Sequence, residues 1–102
     1  MHAFVLSDGL NVNGSELVKG LTSILPGGVA VTGGLSGDGE RFGETCVCVN
    51  GAVEQKKVVL LAFYGDRLRV GYGSMGGWDA FGLERRITQS KHNVLYELDG
   101  ES

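Results

Sequence analysis

The densest supply of groups able to hold a ligand lies in Thr32-Gly33-Gly34-Leu35-Ser36-Gly37-Asp38-Gly39. Glycine lets backbone N–H groups approach a bound molecule, and Thr32, Ser36 and Asp38 add hydroxyl and carboxylate contacts. A P-loop would carry Gly-Lys-Ser/Thr followed by a helix. No lysine follows here, and residues 45–49 read as strand. Gly33, Gly34, Ser36, Gly37 and Asp38 are therefore candidate ligand-binding residues; the plainer reading is a loop that only joins two strands. Trp78, the one tryptophan, stands between glycines and Asp79. It reads either as a core or lid anchor or as an indole that stacks on the same ligand.

Three other constellations carry groups capable of chemistry. Gly71-Tyr72-Gly73-Ser74-Met75-Gly76 is a literal G-x-G-x-x-G, with Ala80 and Leu83 at helical spacing behind it and Asp99 further on as a ribose-binding acid. Gly77, Trp78 and Gly82 are poor openers for a tightly packed helix, and Glu84-Arg85-Arg86 interrupts the apolar stripe, so a dinucleotide-binding oxidoreductase is the alternative and not the main reading. Ser36 or Thr32, Asp38 and His92 supply the group types of nucleophile, acid and base, but a triad is a spatial arrangement. The chain has no G-x-S-x-G elbow and no H-x-E or H-E-x-x-H. No catalytic residue is assigned, and His92 reads as a turn residue. Cys46 and Cys48 share one face of a strand, yet C-x-C is neither a redox C-x-x-C nor half of a four-ligand zinc site. They read as two small buried thiols. No metal ligand is assigned, since a site would need His2, His92 or a second chain.

These groups sit in 102 residues, one domain at most, with 42% apolar and 21% charged residues. The net charge of −3 is spread along the chain, which argues against nucleic acid as a partner. No apolar run approaches the roughly 20 residues of a membrane helix. The N-terminus lacks the regions of a signal peptide. A cytoplasmic location without membrane contact is expected. Eighteen glycines against one proline imply many tight turns.

The elements that must position the loop follow from periodicity. Residues 3–6 are a short strand running into Ser7-Asp8-Gly9. Leu17, Val18, Leu21, Ile24 and Leu25 repeat at helical spacing, with Asn13 or Ser15 as cap and Pro26 as stop. Residues 29–32 form the next strand, completing a βαβ unit if the strands pair in parallel. Three hairpins follow: residues 45–49 and 52–53 around Asn50-Gly51, residues 58–64 and 68–72 around Gly65-Asp66, and residues 86–90 and 94–98 around Lys91-His92-Asn93. The expected fold is α+β, a mostly antiparallel sheet of about six to seven strands with one main helix and a βαβ unit at the N-terminus. A strand so near the chain end, with an uncovered edge, suggests a piece of something longer.

Taken in order, the pieces resemble the FIST sensory domain. Ser7-Asp8-Gly9-Leu10 is similar to its "pDGl" stretch, Val31–Gly39 to its "vGGsagd" loop, and the strand ending in Asn50-Gly51 to its "nG" turn. Gly76-Gly77-Trp78 is similar to "qGw", and Ile87 through Gly100 resembles the "vTka.gn.vyeLDg" ending. The resemblance implies the later part of the family's N-terminal domain, as a truncated module. It further implies an intracellular input domain that binds a small ligand such as an amino acid. Its partners would be a C-terminal FIST half, an output signalling domain and, as a further state, a homodimer. A subset of the family is linked to haem; no residue here matches a haem ligand, and no cofactor is expected.

Overall fold

A computed structural model describes residues 1–102 and shows an α+β fold of seven strands and one helix. The chain divides into two compact units, Met1–Tyr72 and Gly73–Ser102.

The first unit is organised around β1 (His2–Ser7), the middle strand of a three-stranded sheet. On one side β2 (Ala30–Leu35) runs parallel to it, in register from His2↔Ala30 to Ser7↔Leu35. On the other side β5 (Val58–Phe63) runs antiparallel, from His2↔Phe63 to Ser7↔Val58. The expected parallel βαβ unit is thus formed. Side chains alternate across the pleat, so Ala3, Val5 and Ser7 are buried on one face while Phe4 and Leu6 are exposed on the other.

The crossover carries α1 (Gly14–Ile24). Asn13 caps it, its side-chain oxygen accepting from the Glu16 N–H at 3.1 Å, and Glu16 suits the positive end of the helix dipole. Leu25 leaves helical geometry just before Pro26. Leu17 and Leu21 face Val5, Val31 and Leu35 across a cavity of about 290 Å³, and no residue of α1 is fully buried. The buried apolar core comprises only Ala3, Val5 and Val47.

A short hairpin joins β3 (Val47–Val49) to β4 (Ala52–Glu54). Asn50 and Gly51 both adopt positive φ, 50° and 83°, the backbone of a type I′ turn that matches strand twist.

The second expected hairpin does not form. Residues 68–72 are not a strand; Leu68, Val70 and Gly71 instead line a cleft with His2, Phe4, Leu61 and Phe63. Apolar alternation suits a segment lying beside a sheet face as well as an edge strand, and here it borders the β1–β5 face while leaving Phe4, Leu61 and Phe63 exposed. The rings of Tyr72 and His2 lie 6.4 Å apart.

The second unit contains the hairpin β6 (Ile87–Lys91) and β7 (Val94–Leu98). Its turn is His92-Asn93, with His92 at φ 55°. After β7, Asp99 and Gly100 take positive φ and reverse the chain, with Leu98 and Glu101 exchanging two backbone hydrogen bonds of 2.9 Å. Residues 73–86 contain neither helix nor strand. The G-x-G-x-x-G segment therefore lacks both the strand before it and the helix after it, and Asp99 occupies a turn. The dinucleotide-binding architecture is not built.

Candidate functional site

Because β1 and β2 are parallel, the loops that leave them emerge at the same end of the sheet. This is where open parallel sheets present ligands. The first loop starts at Asp8, which is fully buried. Its carboxylate accepts from five donors: the N–H groups of Leu10 and Asn11 and the Thr45 hydroxyl on Oδ1, and Asn11 Nδ2 and the Lys56 N–H on Oδ2. Thr45 in turn accepts from the N–H groups of Gly9 (3.2 Å) and Leu10 (3.1 Å). The Thr45 hydroxyl foremost, then the Asn11 N–H, hold Asp8 well below the usual carboxylate range against the opposing effect of burial. Asp8 ties the loop after β1 to the start of β3 and to the approach to β5.

The second loop begins where Ser36 donates its N–H to Ser7 O at 2.8 Å, one step past the ladder. Gly9 lies beneath it: a Cβ there would stand 2.0 Å from the Ser36 carbonyl oxygen. The Ser36 hydroxyl oxygen is buried and has no hydrogen-bond partner. Asp38 closes the rest of the loop upon itself, accepting from the N–H groups of Gly43 and Glu44, each at 3.2 Å, and pairing with Arg41 at 2.5 Å. Those contacts, the Glu44 N–H first, lower its pKa. An open cleft of about 620 Å³ is bordered by Gly37, Asp38, Arg41, Gly43, Glu44 and Cys46.

The remaining candidates are placed as follows. Gly33 is inside β2 at φ +150°, where a Cβ would meet Val5 O at 1.8 Å, and Gly34 follows with open space around it. Trp78 is in the second unit, 97% exposed. Thr32 holds His2, Oγ1 to Nε2 at 2.8 Å. Cys46 is half-buried and Cys48 exposed, so the reading of two buried thiols is corrected: the buried side of this segment belongs to Thr45 and Val47. Burial foremost, then the Glu44 carboxylate that accepts from its Sγ at 3.6 Å, raises the Cys46 pKa. Sequence reasoning missed Asp8 and Thr45. The available signal was an acid directly after an apolar strand and before a helix cap, a position where backbone donors lack partners.

The model of the FIST N domain matches residues 1–101. The chain belongs to the FIST N domain family. Comparison with curated proteins and with solved structures finds no match. FIST domains are sensory-type domains of signalling proteins. In this FIST N domain the Asp-Gly pair after β1 and the glycine-rich segment after β2 meet at the carboxyl ends of two parallel strands. No helix is long and apolar enough to cross a membrane.

Proposed function

We propose that this FIST N domain is the small-ligand-sensing input module of a cytoplasmic signalling protein, and that it senses without catalysing. The observation that carries the reading is the Ser36 hydroxyl, buried without a partner at the carboxyl end of β2. A buried polar oxygen left unpaired costs stability, so such an atom at a strand end favours a function that supplies its partner. A small polar ligand, of which an amino acid is the type, would take donors from Gly33, Gly34 and Gly37 and the Ser36 hydroxyl. Asp38 would hold the shape of the loop through Gly43 and Glu44. Trp78, an exposed indole of the second unit, is a separate candidate for ligand contact. Binding would shift a conformational equilibrium read by a C-terminal FIST half and an output domain. The reading calls for no cofactor.

The test is a thermal-shift screen of the protein against free amino acids, followed by calorimetry on any ligand found. Ser36→Ala and Trp78→Ala are each expected to weaken binding about tenfold, the loss of one hydrogen bond or one stacking contact. Unchanged affinity in both variants overturns the site, and a screen with no ligand and measurable turnover of any substrate overturns the function.

A second reading, a packing or dimerisation module, is favoured by one observation. Phe4, Leu6, Leu61 and Phe63 share one sheet face and all are exposed. Light scattering showing a stable homodimer that binds no small ligand would select it.

A further inference from the structure

Cys46 and Cys48 are free thiols that border one cleft of about 330 Å³, together with Leu6, Leu35 and Ser36. Burial alternates along this extended stretch, Thr45 and Val47 buried, Cys46 and Cys48 not, which puts the two sulfurs on one side. Such a pair has three chemical uses, and spacing decides among them. Cys48 lies in β3 and Cys46 directly before it, and residues two apart on extended backbone stand about 6.5 Å apart. A disulfide needs Cβ atoms about 3.8 Å apart, so direct oxidation would have to bend the strand. Zinc needs four ligands, and no group of three or more His, Cys, Asp or Glu side chains is gathered in a ligating arrangement. A soft ion held in line between two thiolates needs sulfurs about two metal–sulfur bonds apart. That is roughly 4.5 Å if each bond is near the ~2.3 Å of zinc–thiolate, a span that same-face side chains reach with ordinary rotamers. Thiolates select Cu(I) among such ions.

We propose that Cys46 and Cys48 form a two-thiolate site for Cu(I), at an open cleft bordered by Leu6 and Leu35. The ion displaces one proton from each thiol, two sulfur–copper bonds replace two S–H bonds, both protons pass to solvent, and copper stays monovalent. The cleft shares Gly34 and Ser36 with the proposed ligand site, but copper binding by the two thiols does not require the sensory reading to hold.

The experiment is an anaerobic titration of the whole chain, fully reduced, against the coloured Cu(I) complex of bicinchoninate. Wild type is expected to withdraw one copper per chain. Cys48→Ser, at an exposed side chain with no packing role, is expected to weaken binding more than about 100-fold, beyond what loss of an outer-shell contact costs. Cys46→Ser is expected to do the same, with circular dichroism reporting its fold. Wild type that withdraws no copper, or a Cys48→Ser protein that still does, overturns the site. Half a copper per chain overturns it as well, because the ion would then join two molecules. Rapid loss of two hydrogen masses under oxidised glutathione would show an unstrained disulfide and remove the spacing argument.

Discussion

Thr45 donates its hydroxyl proton to Asp8 across 37 positions of sequence, and that contact joins the loop after β1 to the start of β3. Asp8 is an acid whose folded-state pKa lies below the ordinary value of 3.8. Its stabilising contribution is therefore complete above about pH 4 and is lost as pH falls through the lower folded-state value. The thermal midpoint of the wild type should fall steeply below pH 4. Asp8→Asn should melt lower at pH 7, by more than about 5 °C, and respond less to acid. Equal pH profiles for the two proteins would contradict this.

Gly33 and Gly9 hold the two loops together by having no side chain. Gly33→Ala adds a methyl group at 1.8 Å from Val5 O on a backbone at φ +150°, and should cost at least about 2 kcal/mol in denaturant unfolding. Gly9→Ala should shift the Ser36 segment, seen as amide chemical-shift changes that reach Ser7. Gly20→Ala, with nothing within 4 Å and an interior helical position, should stabilise slightly, by about 0.5–1 kcal/mol.

Asn13→Ala removes the cap of α1, with an expected cost of about 1 kcal/mol. Asn13→Asp should retain stability, because the carboxylate also accepts from the Glu16 N–H.

Arg85 and Asp99 approach to 3.8 Å with both side chains largely exposed. Arg85→Ala should change unfolding free energy by less than about 0.5 kcal/mol, as solvent screening predicts.

Residues 73–86 contain no helix, so the G-x-G-x-x-G has no helix N-terminus to offer a pyrophosphate. Reduced nicotinamide dinucleotides should leave Trp78 fluorescence unchanged up to millimolar concentration.

The local features were legible because their causes are local. Asn50-Gly51 reads as a turn since both residues tolerate positive φ, and they adopt it. Leu17, Val18 and Leu21 read as one helical stripe, and Asn13 and Pro26 bound it from within a few residues. The two strands flanking that helix were legible, but their parallel pairing was a condition that only the register from His2↔Ala30 to Ser7↔Leu35 met. Residues 68–72 misled because period-two alternation marks an apolar side without saying whether a strand or a sheet face will receive it.

The order of apolar, capping and glycine residues by itself determined an α+β chain with a capped helix between two short strands and with tight turns, since each depends on backbone preferences within a few positions. Tertiary structure alone decided that Asp8 is buried against Thr45 and Lys56, that residues 68–71 border a cleft beside the His2 face, and that Cys46 and Cys48 face away from the core. Those outcomes depend on which distant donors and surfaces arrive beside a residue, and burial energy is settled only when they do.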